Sequence, residues 1–132
     1  MKFGFLALLV LITCSCKTKE STPYSSLQNT TWSWVSTTQD STFYEDTASS
    51  SNSQVLTFID YKNLEWKRND SVFYTGLFVY HSKVSVLTGT HELIMDLTGI
   101  PDGYIIDRLV DTLWLREDIA SGSKTYRYLK TN

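Results

Sequence analysis

Bulky and polar residues alternate along most of this chain with a period of two, the pattern of strands that bury one face. Trp32 and Trp34 share a face within 32–36, Leu56 and Phe58 within 55–59, and Leu64 and Trp66 within 64–68. The run 72–80 is apolar on both faces and is interrupted by Gly76, which predicts a bulge or sharp bend. Further strands are predicted over 84–87, 92–97, 104–109, 112–116 and 124–130, the last with Tyr126 and Tyr128 on one side. Polar or glycine-containing turns separate them at 60–63, 69–70, 81–83, 88–90, 98–103, 110–111 and 120–123. No segment beyond residue 26 keeps apolar positions at helical spacing, and no connection is long enough for a crossover helix between parallel strands.

Nine short strands in an antiparallel meander must hide their edges, and closing the sheet on itself removes them. The pattern therefore predicts an all-β fold, a small antiparallel up-and-down meander closed into a β-barrel of about eight to nine strands. One segment breaks the rhythm: 36–53 is 18 residues long, ten of them Ser or Thr. It is expected as a long loop, either a functional lid or a mobile excursion.

The N-terminus is different in kind. After Met1 and Lys2 the chain runs without charge from Phe3 to Cys16, through Leu6, Leu8, Leu9, Val10, Leu11 and Ile12. That is short of the roughly 20 apolar residues a spanning helix needs and fits the roughly 7–15 of a secretory h-region. Residues 1–15 are therefore expected to be a signal helix removed on export, with Cys16 as the lipid-bearing first residue of the mature chain. Ser15 supplies the small residue before the cut. Cys14 is the second choice of acceptor, and an uncleaved anchor or an ordinary signal cleavage are the alternatives to acylation. Residues 16–26 are polar, contain Pro23 and read as a tether to a single domain over 27–132.

Composition narrows what such a domain can do. Both cysteines lie in or at the end of the leader, which leaves no disulfide framework and no cysteine-held metal. Losing Lys2 with the leader leaves 11 of the 12 basic residues against 14 acidic ones, with no electrostatic footprint for nucleic acid. The two histidines, His81 and His91, have no paired-ligand spacing, and no nucleophile elbow or phosphate-cradling glycine loop is present. Asp96, Asp102, Asp107, Asp111, Glu117 and Asp118 are expected in turns or on solvent faces. No catalysis, metal or cofactor is expected.

Leu27-x-x-x-Thr31-Trp32, Leu56-Thr57-Phe58, Tyr74-Thr75-Gly76-x-Phe78, Asp111-Thr112-Leu113-x-Leu115 and Tyr126-x-Tyr128 follow one another in an order that resembles the lipocalin-like domains of small bacterial lipoproteins, those of the Bacteroidota in particular. Such families usually place a glycine two residues before the tryptophan, where this chain has Thr30. The resemblance implies a lipocalin-like barrel, lipid-anchored in the cell envelope through acylated Cys16. By analogy with enterobacterial sorting, Lys17 after Cys16 is compatible with the outer membrane. It also implies an arginine over Trp32 as a closure of the barrel end. Arg127 is the candidate for that part by cation-π stacking, or else points to water.

The expected interior is Trp34, Phe58, Trp66, Phe78, Tyr80, Met95, Tyr126 and Tyr128. These either wall a pocket for a small apolar ligand or fill the core outright. Two functions follow: a non-enzymatic module that binds a small hydrophobic molecule, or an interaction or inhibitor barrel that meets another envelope protein through its loops.

Overall fold

In the computed structural model, residues 27–40 and 45–132 are described, without the side chain of Leu109. The leader, Cys16 and the tether lie outside them. The described chain forms nine strands: β1 (Thr30–Gln39), β2 (Glu45–Thr47), β3 (Gln54–Phe58), β4 (Asn63–Arg68), β5 (Ser71–Val84), β6 (His91–Leu97), β7 (Tyr104–Leu109), β8 (Thr112–Glu117) and β9 (Lys124–Lys130). All pairings are antiparallel, and β1 pairs with both β3 and β9, so β1 and β3 to β9 close into an eight-stranded barrel. β2 is the extra strand. It pairs with Ser36, Thr37 and Thr38 of β1, beyond the stretch from Thr30 to Ser33 that β3 occupies.

The predicted and observed strands agree in number but not in membership. The strand predicted over 84–87 is absent, and the turn predicted at 81–83 is instead the far end of β5. His81, Ser82 and Lys83 pair with Ile94, Leu93 and Glu92. His81 and Lys83 both reach the Asp96 carboxylate, Lys83 at 3.1 Å. Their polarity marks the outer face of a strand, not a turn. The reversal comes at 85–90, where Ser85 Oγ accepts the amides of Leu87 and Thr88 and Gly89 takes φ +72°. In the other direction, the expected loop 36–53 contains the end of β1 and all of β2.

Two bulges decide which side chains face inward. Val35 is an extra residue between Trp34 and Ser36 against β9, so inward positions run Trp32, Trp34 and then Thr37. Phe73 is extra between Val72 and Tyr74 against β4. The bulge expected at Gly76 thus sits three residues earlier. Gly76 instead makes room for a neighbour, since a Cβ there would lie 2.8 Å from the hydroxyl of Tyr74. That hydroxyl bonds the carbonyls of Leu77 (2.8 Å) and Thr98 (3.1 Å), where β5 exchanges β4 for β6 as its partner. Gly76→Ala is expected to cost about 0.5–1.5 kcal/mol, because the Tyr74 ring can swing aside only by giving up its hydroxyl's hydrogen bonds, read as a lowered midpoint in thermal denaturation.

Short turns match their chemistry. Asn69 and Asp70 both have positive φ, 49° and 63°, as a two-residue hairpin between right-twisted strands requires. At the β3–β4 turn the Asp60 carboxylate accepts the amides of Lys62 and Asn63 and the Asn63 side chain, at 2.7–2.9 Å. Those bonds, the Asn63 side chain foremost, hold its pKa below the ordinary carboxylate value.

The inward side chains make one core: Leu27, Trp32, Trp34, Leu56, Phe58, Leu64, Trp66, Phe78, Tyr80, Met95, Leu97, Ile106, Leu113, Leu115, Tyr126 and Tyr128. Ile94 and Ile105 are buried outside this cluster, paired across β6 and β7. Near them the 85–90 loop is tied to the end of β8, because the Asp118 carboxylate accepts Ser85 Oγ at 2.6 Å and the Leu87 amide at 3.1 Å. Asp118 is only 7% exposed, which corrects its expected place on a solvent face. A buried carboxylate is tolerated there because these donors satisfy it.

Candidate functional site

The two ends of the barrel are unlike. At the end where β1 begins and β9 finishes, fully buried Leu27 and Trp32 fill the opening. Thr30 Oγ1 donates to the Leu27 carbonyl and accepts Trp32 Nε1 at 2.8 Å. Backbone bonds from Thr31 to Asn132 and from Thr131 to Thr31 fasten the C-terminus over the same place. A guanidinium does sit over the Trp32 ring, 5.3 Å from its centroid, but it is that of Arg108 on β7. Arg127 is exposed on the outer face of β9, paired with Trp114 and Ser36. The sequence expectation for Arg127 is corrected by parity: Tyr126 and Tyr128 point inward, so the residue between them cannot.

The opposite end holds a cavity of about 150 Å³, lined by Thr37, Asp46, Gln54, Arg68, Lys124 and Tyr126. Strand alternation places most of these side chains. Gln54, Leu56 and Phe58 alternate inward along β3, and Leu64, Trp66 and Arg68 along β4. Lys124, Tyr126 and Tyr128 do so along β9, and Leu113, Leu115 and Glu117 along β8. Each row is apolar in the core and ends in a polar or charged side chain at the mouth.

All eight residues expected inside the barrel are brought together in the core. Phe58 and Phe78 meet edge to face at 5.4 Å, and Phe78 and Tyr80 at 5.1 Å. Trp34 is held by a bond from Nε1 to Thr37 Oγ1 at 2.9 Å, and Met95 is fully buried. These five, Trp34, Phe58, Phe78, Tyr80 and Met95, lie in the core and not among the residues that line the cavity. Tyr126 lines the cavity, while Trp66 lies beneath it, in edge contact with Phe73, Tyr104, Tyr126 and Tyr128 and donating to Gln54 Oε1 at 3.2 Å. Sequence reasoning missed Arg68, Gln54, Thr37, Asp46, Lys124, Glu117, Tyr104 and Phe73. Extending each alternating row by one more inward position would have found Arg68, Gln54, Glu117 and Lys124.

Electrostatics at the mouth centre on Arg68 and Glu117. The Arg68 guanidinium stacks on Phe73, 3.6 Å from the ring centroid, and lies 5.6 Å from Trp66. Glu117 accepts the Tyr126 hydroxyl at 2.9 Å and the Lys124 amide at 3.2 Å, which corrects its expected place on a solvent face. Burial and the nearby Glu117 charge push Tyr104 up to about 12. Burial and the Glu117 hydrogen bond raise Tyr126 further, and burial raises Tyr128 well above the ordinary phenol. The Tyr128 hydroxyl lies near the Trp66 indole but makes no hydrogen bond of normal geometry. At neutral pH the three phenols are uncharged.

A group with a raised folded-state pKa keeps its proton longer when folded than when unfolded. Stability from these phenols is complete below about pH 10 and falls as pH rises through about 10 to 12 and beyond. Alkaline titration of phenolate absorbance should show Tyr104, Tyr126 and Tyr128 ionising above the ordinary phenol range, with unfolding setting in over the same range.

The other titratable groups lie elsewhere. His81 and Lys83 meet Asp96 on the outer face, and His91 is exposed at the start of β6. Among the described residues no three His, Cys, Asp or Glu side chains gather as a metal site.

The chain matches no protein-family model, no curated protein and no solved structure. Its reading therefore rests on the barrel and its mouth.

Proposed function

We propose that this is a lipid-anchored envelope lipoprotein of the outer membrane whose lipocalin-like barrel binds a small, largely hydrophobic molecule without catalysis. The leader ending at Ser15 and Cys16 supports the anchor. The observation that carries the binding reading is the asymmetry of the barrel: one end is plugged by Leu27 and Trp32, the other opens on a cavity above an aromatic floor. About 150 Å³, open to solvent and lined mostly by polar side chains, is well below the roughly 300–1,000 Å³ of a pocket that engulfs a drug-sized ligand. The mouth takes a compact ligand, or one end of a longer one, with Tyr126 in its wall and Trp66 packed against Tyr126.

Two measurements test this. Tryptophan fluorescence, titrated with a panel of small apolar compounds, should respond through Trp66, and a flat response to the whole panel rejects binding. Cys16→Ser should leave the protein unacylated and released from the membrane fraction; retention with acyl label still incorporated would reject Cys16 as the anchor.

A second reading, an interaction barrel facing another envelope protein, is favoured by the dense aromatic core and by exposed Leu77 and Val79 side by side on the outer face of β5. Crosslinking from Val79 in intact cells separates the two, since only this reading expects a discrete adduct there.

A further inference from the structure

The charges at the mouth are unequally committed. Both oxygens of Glu117 are engaged, by Tyr126 and by the Lys124 amide. Asp46 accepts the Asn52 side chain at 3.1 Å. Arg68 differs: among the described residues no carboxylate comes within ion-pair distance of it. Its flat face is covered by Phe73, and a guanidinium stacked in this way keeps its edge of N–H donors for a planar acceptor.

The same stacking argues against a cationic guest. A cation would be drawn to the faces of Phe73 and Trp66, but Arg68 already covers them. It would also meet two cationic lining residues, Arg68 and Lys124, while the carboxylates nearby, Asp46 in the lining and Glu117 behind Tyr126, already accept hydrogen bonds from the protein.

We propose that the mouth cavity binds a small organic carboxylate, its charged group on the Arg68 edge and its flat or apolar body against Tyr126. This rests on the binding reading above and narrows it to one ligand chemistry. The carboxylate belongs either to a free compact acid or to the head of a fatty acid whose chain extends from the mouth.

The test is calorimetric titration of the full chain with benzoate, decanoate, benzyl alcohol and benzylamine. One or both acids should bind, with the alcohol and amine weaker by about ten-fold or more, the scale of a charge-assisted hydrogen bond. Benzoate alone identifies a compact acid and decanoate alone a fatty-acid head; either supports the proposal. Arg68→Gln should weaken the acids by about ten-fold or more and leave the alcohol unchanged. Arg68→Lys, which keeps the charge but not the fork, should retain part of the affinity, and added salt should weaken the acids alone. Benzyl alcohol binding as tightly as benzoate, or acids indifferent to Arg68→Gln in a protein of unchanged melting temperature, overturns the carboxylate proposal and leaves the binding reading standing. If none of the four probes binds, the carboxylate proposal is overturned, and the fluorescence panel decides the binding reading separately.

Discussion

Replacing Trp66 by alanine should lower stability by about 3–5 kcal/mol, the range for truncating a large aromatic in a packed interior. For a domain near a hundred residues that is a fall of roughly 15–25 °C in melting temperature. The side chain is fully buried. It lies against Phe73, Tyr104, Tyr126 and Tyr128, which come from β5, β7 and β9, so it joins strands that are not neighbours in the sheet. Its removal also strands Gln54 Oε1 and takes away one of the two rings beneath Arg68. Trp66→Phe keeps most of the volume and loses the indole N–H, so it should cost less than half as much. A loss under about 1 kcal/mol for the alanine variant, the level of ordinary surface changes, would mean that the core is not organised around this ring.

Trp32→Ala should cost a similar 3–5 kcal/mol at the other end of the barrel, with thermal or urea denaturation as the readout. Trp32 is fully buried and anchored through Thr30 to Leu27. Its partner sharpens the test. Arg108→Ala should lose about 0.5–2 kcal/mol from the cation-π contact, while Arg127→Ala on the outer face should stay within about 0.5 kcal/mol. The reverse order would restore Arg127 as the residue over Trp32.

Much of the barrel was legible because its strands obey a simple parity. Trp32 and Trp34, Leu64 and Trp66, and Tyr126 and Tyr128 each stand on one face in the sequence, and each pair is buried in the structure. What parity cannot show is an insertion. The bulge at Val35 turns Thr37 toward the mouth where unbroken alternation would place Ser36. Nor does composition separate a polar turn from a polar outer face: His81, Ser82 and Lys83 read as a reversal, yet they extend β5 because Asp96 on the adjacent strand receives two of them. The exchange of Arg127 for Arg108 has the same origin, since which strand passes over Trp32 depends on the three-dimensional stagger and not on distance from the C-terminus. Arg68 and Glu117 were missed because a charge at the end of an apolar row, inside the predicted strand 64–68 for Arg68 and just past 112–116 for Glu117, looks like a solvated end of the strand. In a barrel it is the rim.

The seam between β1 and β9 sets an order on assembly. Trp32 lies opposite Lys130 and Gln39 opposite Lys124, so the opening strand of the domain, which can pair with β3 early, gains its second ring neighbour only when the last strand has been synthesised. Every other neighbouring pair in the ring except β1 with β3 is joined by a short connection, and those can form early; the seam must wait and then overcome the entropy of a loop as long as the domain itself. A chain stopped before β9 would expose two raw sheet edges and the greasy inner faces of Trp32 and Trp34 to whatever lies nearby, which makes the final strand the latch that renders this protein safe to leave unattended.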